Sequence, residues 1–284
     1  MTLEERAKAI RETIIRMLVA AGSGHTAGSL GMADIFTAFY FHILRHDHKN
    51  PEWEERDRLV LSNGHICPAQ YAALAHAGYF PLEECITLRK FGSRLQGHPE
   101  RSRLPGLETT SGPLGEGLAQ AAGMALAFRM DGMSDVRRPT SDVGRRTSYN
   151  GRRVYCVMSD GEQDEGNTWE AVMFAGKNKL SNLTAVIDRN NIQISGTTED
   201  VMPLEPLAEK YRAFNWHVLE VDGNDISAFV AAIEEAKAMQ EKPTLIIART
   251  IPGKGVSEIE NNYCWHGRAP TAEEGGRFLK YLNI

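Results

Sequence analysis

No apolar run in this chain reaches the roughly eighteen residues that a membrane-crossing helix needs, so no membrane partner is expected. The N-terminus lacks an apolar core behind a basic start and reads as a charged amphipathic helix, not a signal peptide. Cysteine is scarce. Cys67, Cys85, Cys156 and Cys264 stand apart without CxxC spacing, which argues against a zinc site and against a disulfide framework. Cys156 falls in an apolar, strand-like run and reads as a small core residue. Basic charge is not in excess either: 32 Lys+Arg oppose 37 Asp+Glu, a net charge of -5, which leaves no overall nucleic-acid footprint. No internal repeat is visible. A reducing, cytoplasmic setting is the expectation.

What is present describes a globular α/β protein. At 284 residues with 42% hydrophobic and 24% charged residues, the chain can bury a sizeable core. Thr2 and Glu5 form a capping box, and Leu3, Ala7, Ile10, Ile14 and Leu18 follow at helical spacing up to Gly22. Further helices are predicted over 31–44, 69–77, 115–131, 166–178, 225–240 and 271–282. Strand-like runs occupy 59–61, 154–158, 183–187, 217–221 and 244–248. They lack polar alternation and are separated by helices, which predicts a doubly wound, mainly parallel sheet with helices on both faces. We expect one domain over residues 1–284. The arginines among Ser, Thr, Gly and Asn in the 133–153 segment suggest a solvated surface loop.

The chemistry concentrates where such sheets bind ligands, at the carboxyl ends of strands. Asp160-Gly161-Glu162-Gln163-Asp164-Glu165-Gly166 closes one apolar run, and Asp188-Arg189-Asn190-Asn191 closes the next, roughly thirty residues on. Two strand ends would then present hard oxygen donors at one sheet edge. Asp160 can give a carboxylate, Asn190 an amide oxygen and Ile192 its backbone carbonyl. Mg²⁺ prefers six oxygens in a tight octahedron and commonly shares them with phosphates, so one protein carboxylate suffices when a diphosphate brings the remaining charge. Gly161 lets backbone approach a phosphate, and the amides opening the 166–178 helix favour an anion. Alone, either motif reads as a turn or a strand stop. Two other glycine patterns fail: Gly22 to Gly28 follows a helix and is one residue too long for GxGxxG, and Gly253-Lys254-Gly255 lacks the spacing of a P-loop.

The Asp-Gly-x-x-x-Glu-Gly and Asp-x-Asn-Asn-Ile-x-Ile-Ser-Gly segments resemble the thiamine diphosphate motif of the transketolase family. Further segments agree. Ser23-Gly24-His25-Thr26-Ala27-Gly28-Ser29-Leu30-Gly31 resembles the family's SGHPGxxLG stretch, and Leu61-Ser62-Asn63-Gly64-His65 its LSxGH. Gly97-His98-Pro99-Glu100 is similar to its GHPE, Ser111 to Gly117 to its TGPLGQG, and His266-Gly267 to its closing HG. The resemblance runs in order over nearly the whole chain. It implies that Asp160, Asn190 and the Ile192 carbonyl hold Mg²⁺, with Ca²⁺ or Mn²⁺ as substitutes. It implies that Gly112, Leu114 and Gly161 contact the cofactor through backbone, with His65 and His266 near the diphosphate and thiazolium. His25 and His98 are expected to face the substrate's hydroxyls and carbonyl. Glu165 is expected to join a carboxylate network reaching a neighbouring subunit, or to serve as a helix N-terminal charge worth about 0.3–1 kcal/mol.

Only the diphosphate-binding part of a full-length transketolase has a counterpart in this sequence. The resemblance therefore implies a partner chain carrying the pyrimidine-binding domain, in a heterotetramer of two pairs. The implied reaction moves a two-carbon ketol unit from a ketose phosphate to an aldose phosphate, with the pentose phosphate pathway as the expected setting. Thr26 and Ala27 stand where the family has proline and glycine, and are expected to bear on the choice of sugar, including branched or sulfonated ones. A regulatory relative without turnover would be expected to have lost Asp160, Asn190 or the histidines, and all are present.

Overall fold

The computed structural model describes residues 1–134 and 151–283. The first helix, α1 (Leu3–Ala21), opens on the expected capping box: Glu5 N–H donates to Thr2 Oγ1 at 3.2 Å, and Thr2 N–H donates to Glu5 Oε2 at 2.8 Å. The helix expected over 31–44 is instead broken into α2 (Thr26–Gly31), α3 (Ala33–Ala38) and a π-helical turn, Phe39–Ile43. The cause is a close backbone crossing. A Cβ on Gly31 would stand 2.9 Å from the Ile251 carbonyl oxygen, and Gly253 N–H donates to Ala27 O at 2.8 Å. Only glycine admits that approach.

Along the chain follow β1 (Arg58–Leu61), α4 (Cys67–His76), α5 (Glu116–Ser134), β2 (Val154–Ser159), α6 (Gly166–Lys177) and β3 (Leu183–Arg189). A short hairpin, β4 (Ile192–Gln193) and β5 (Gly196–Thr197), leads through α7 (Thr198–Val201) to α8 (Leu207–Ala213). The order closes with β6 (His217–Asp222), α9 (Ile226–Ala238), β7 (Thr244–Arg249) and α10 (Ala272–Tyr281). The main sheet is parallel throughout, in the order β1-β2-β3-β7-β6, with Val157 opposite Val186 and Val186 opposite Ile246.

Both sheet faces are buried, and alternate residues divide between two cores. Leu59, Leu61, Tyr155, Val157, Val186 and Ile246 pack with Ile10, Phe36, Phe39 and Phe229 from α1, α3, the π-helical turn and α9. Val60, Cys156, Met158, Ala185, Ile187 and Ile247 pack with Leu118 of α5, Val172 of α6 and Tyr211 of α8. Full burial of each such large apolar side chain favours folding by about 1.5–3 kcal/mol. This is the doubly wound α/β arrangement. Its strands coincide with the predicted runs because central parallel strands are apolar on both faces.

The arginine-rich segment departs from expectation where it is described. Its first residues continue α5 through Ser134, and residues 135–150 lie outside the described part. Arg152 and Arg153 are buried, not solvated. Arg152 lies 4.2 Å from the centroid of the Phe128 ring, and Arg153 donates to the carbonyl of Lys237 at 2.5 Å.

Candidate cofactor and active site

β2 and β3 end side by side, with Ser159 paired to Asp188, so Asp160 and Asn190 emerge together at the carboxyl edge of the sheet. Asp160 is 1% exposed and accepts the N–H of Gly161 at 2.8 Å and of Asn191 at 2.7 Å. Asn191 can aim its amide back because it adopts a left-handed backbone, φ 62°, which asparagine tolerates. Asn190 donates through Nδ2 to Asp188 Oδ2 at 2.9 Å, while its Oδ1 accepts from Ile192 N–H at 3.0 Å. That pairing fixes which amide atom is oxygen. Arg189 braces the turn from below: Nη1 donates to Thr198 Oγ1 at 2.7 Å and approaches Asp160 at 3.4 Å, and Nη2 donates to Glu199 at 2.7 Å and Glu205 at 3.1 Å.

Burial raises the pKa of Asp160 to about 6, although the two amides and Arg189 oppose the rise. Burial likewise raises Asp188 to about 7; its hydrogen bond from Thr250 acts against this, and repulsion from Asp160 adds to it. These are carboxylates short of positive charge.

Across the cavity stand the imidazoles. His25 immediately precedes α2, His65 lies in the turn Gly64–Ile66 after β1, and His266 follows the turn Tyr263–Trp265. Their ring centroids are 4.9 Å apart for His25–His65, 5.6 Å for His25–His266 and 5.3 Å for His65–His266. Burial lowers the pKa of His25 to about 4, with His266, Arg89 and His98 adding to the effect. Burial also holds His65 well below the ordinary value and lowers His98 and His266. All four are therefore neutral at pH 7, and each ring carries one donor and one acceptor.

Glu165 sits at the N-cap position of α6, exposed, and offers no side-chain cap. It is packed against Gly115, where φ is 84° and an added Cβ would lie 2.8 Å from Glu165 Cβ and 2.1 Å from Asn167 Oδ1. No other residue fits there. Glu162, quoted in the motif but given no part in the sequence reading, proves to be a fully buried hub: it accepts from Gly115 N–H at 2.6 Å, from Ser159 N–H at 3.1 Å and from the Ser62 hydroxyl. It thereby joins the loop bearing Gly112 and Leu114 to the end of β2.

One cavity of about 470 Å³ collects every site residue singled out in the sequence: His25, His65, His98 and His266, Gly112 and Leu114, and Asp160, Gly161, Glu165, Asn190 and Ile192. Ser159, Asp164, Gln193, Ile194 and Ser195 also line it and were not anticipated, since the β4–β5 hairpin that brings the last three is too short to leave a pattern. Thr26 and Ala27 do not line it. Both are fully buried, and the Thr26 hydroxyl donates to the Arg268 carbonyl at 2.5 Å, tying the His25 turn to the His266 loop.

The residues present suit a diphosphate bound through a divalent cation. Among the described residues no group of three His, Cys, Asp or Glu side chains could hold a metal by itself. The buried Asp160 carboxylate, with neutral oxygens beside it and phosphates from a ligand, makes up the kind of oxygen donor set Mg²⁺ favours. Among the described residues His25 Nδ1, buried at the cavity wall, has no hydrogen-bond partner, and is a polar atom that a bound ligand can satisfy.

The imidazole shift has a consequence for stability. The unfolded chain takes up a proton on His25 near 6.5, the folded chain only near about 4, so between those values the unfolded state binds more protons and stability falls as pH falls. Replacing His25 with glutamine is expected to flatten the pH dependence of stability in that window, measured by urea unfolding at pH 7 and pH 4.5. An unchanged slope would contradict the buried neutral imidazole.

A parallel α/β domain whose Asp160–Asn190 strand edge faces a cluster of imidazoles across one cavity has the form of a cofactor-binding domain. The chain matches the family described as "Transketolase, thiamine diphosphate binding domain" over residues 3–280, and it belongs to that family. It is 42% identical to a 6-deoxy-6-sulfo-D-fructose transketolase subunit of Clostridium sp. (strain MSTE9), covering 95% of this chain and 92% of that one. It is 39% identical to an apulose-4-phosphate transketolase subunit of Phocaeicola vulgatus, covering 96% and 91%. Among solved structures, transketolase from Leishmania mexicana superposes with a TM-score of 0.91 at 33% identity, over 100% of this chain but 41% of that one. The chain thus spans about four tenths of that transketolase and nearly the whole of the two subunits. Among the described residues no helix is long and apolar enough to cross a membrane.

Proposed function

We propose that this chain is the diphosphate-binding subunit of a thiamine diphosphate- and magnesium-dependent transketolase. It would transfer a two-carbon ketol unit from a ketose phosphate to an aldose phosphate, working with a pyrimidine-binding domain on a partner chain. The observation that carries this reading is the single cavity in which the Asp160–Asn190 edge faces four neutral histidines. Asp160, the Asn190 amide oxygen and the Ile192 carbonyl would hold the cation, and Ca²⁺ or Mn²⁺, which also take oxygen donors, could replace Mg²⁺. Gly112, Leu114 and Gly161 would contact the cofactor through backbone.

When bound, thiamine diphosphate supplies the carbon nucleophile and electron sink that ketol transfer needs. This chain's part is positioning and proton handling. A neutral imidazole accepts a hydroxyl proton at one nitrogen and donates to a developing alkoxide from the other. His25 and His98 would do so at the sugar, with His65 and His266 placed against the cofactor. Exposed Glu165 would reach toward the partner chain.

Support for a partner comes from the two relatives named as subunits, whose lengths match this chain. We propose a heterotetramer of two pairs, in the cytoplasm. Those relatives' names also favour a second reading for the donor: a branched or sulfonated sugar in place of a pentose phosphate.

Co-producing the chain with a pyrimidine-binding partner, loading thiamine diphosphate and Mg²⁺, and assaying ketol transfer over phosphorylated, branched and sulfonated ketoses tests the proposal. Transfer should require both chains. Enzyme-like rates from this chain alone, or none from the pair with any donor, would refute it.

A further inference from the structure

Asp188 reaches the proposed cation site only through a neighbour. It is the penultimate residue of β3, paired with Ala248 of β7, and it is 1% exposed. Asn190 lines the cavity; Asp188 is absent from the described residues that do. The two carboxylate oxygens serve different partners. Oδ2 accepts from Asn190 Nδ2 at 2.9 Å, and Oδ1 accepts from the hydroxyl of Thr250, which is buried directly after β7. Thr250 is tied to the same turn a second time, its N–H donating to Arg189 O at 3.4 Å.

An asparagine amide has nearly the same shape either way round, yet only its oxygen can bind a cation. Two contacts decide the orientation at Asn190: Nδ2 meets Asp188, and Oδ1 accepts from Ile192 N–H at 3.0 Å. Turned over, the amide would set its oxygen against a carboxylate oxygen and its NH₂ against an N–H. An ionised carboxylate accepts at both oxygens and donates from neither, so it recognises the NH₂ end without ambiguity. A carbonyl oxygen has two lone pairs, and Oδ1 keeps one for a ligand after Ile192 takes the other.

We propose that the Thr250–Asp188 pair is a positioning device, which holds the Asn190 amide with its oxygen turned toward the cavity. Support for a ligand is thereby carried from the end of β7, through β3, to the turn beyond it. Partners one bond removed from a metal orient the ligands that touch it, and losing one weakens metal binding about ten- to a hundredfold. The effect on the cation rests on the cofactor reading; the orientation of the amide does not.

In the two-chain complex, Asp188→Leu, which keeps a side chain of similar size but no acceptor, should weaken Mg²⁺-dependent thiamine diphosphate binding by about that factor in calorimetry. Asp188→Asn keeps an acceptor and should retain most of the affinity, and Thr250→Val should weaken binding by less. The decisive comparison is with Asn190→Asp, whose carboxylate presents an oxygen either way round. In that background Asp188→Leu should cost nothing, whereas a merely structural role would lose equally in both. A second readout needs neither cation nor partner. The Asn190 side-chain amide protons, identified by NMR from their absence in Asn190→Asp, should exchange slowly with water in the chain and quickly in Asp188→Leu. Equal losses in the two backgrounds, no loss in Asp188→Leu where Asn190→Ala does lose affinity, an Asp188→Asn as weak as Asp188→Leu, or an amide that stays protected would each overturn the proposal. Should Asn190→Ala bind the cofactor unchanged, the cofactor reading fails at Asn190 and the amide exchange alone decides.

Discussion

Asp160→Ala should weaken cation-dependent binding of thiamine diphosphate by about a hundredfold or more, a larger loss than that of a residue merely supporting a ligand. The argument is one of charge. Asp160 is the single carboxylate among the three donors proposed for the cation, and burial lifts its pKa to about 6 despite Arg189 at 3.4 Å. Without it, the cation would rest on neutral oxygens and the diphosphate alone. The folded chain, by contrast, should change little in stability. The lost bonds to Gly161, Asn191 and Arg189 are offset by removal of a buried, under-compensated charge. Calorimetry of cofactor binding with Mg²⁺, alongside urea unfolding without cofactor, separates the two effects. Unchanged cofactor affinity would end the metal assignment.

Arg189→Ala should instead act on the fold. Its side chain is buried at the end of β3 and binds Glu199, Glu205, Thr198 and, at the limit of contact, Asp160. Truncation would strand these acceptors and loosen the turn that carries Asn190 and Ile192. Breaking a buried pair costs about 3–5 kcal/mol, and the partial exposure of Glu199 and Glu205 places the expected loss near the lower end, about 3 kcal/mol. Urea unfolding measures it; a loss below about 1 kcal/mol, the scale of surface pairs, would show that the network is solvent-screened. Cofactor binding should fall with it, because two of the three proposed donors lie beyond this turn.

The five principal strands were legible in the sequence as short apolar runs, four of them buried on both sides and β6 only partly so, and the Asp160–Asn190 edge was legible because those residues close two of the runs. Asp160 and Asn190 could be paired from their places alone. What pattern could not convey was support. Arg189 stood in plain view inside the motif, but a cation at the end of an apolar strand announces only that it needs partners, and Glu199 and Glu205 lie in a segment with no periodicity. Glu162 was hidden the same way, since its partners Ser62 and Gly115 are remote in the chain. The 31–44 helix was misjudged because apolar spacing cannot reveal that the Ile251 backbone crosses at Gly31. Thr26 and Ala27, expected to bear on the choice of sugar, are fully buried in α2, which their place beside His25 did not reveal.

The imidazole cluster draws on His25, His65 and His266, so the chain's opening and closing stretches must meet on one side of the sheet before it exists. Such far-separated contacts carry a large loop-closure entropy. Acquisition of the ligand is therefore coupled to completion of the topology, and a collapsed intermediate with its strands already in register would still be blind to the vitamin.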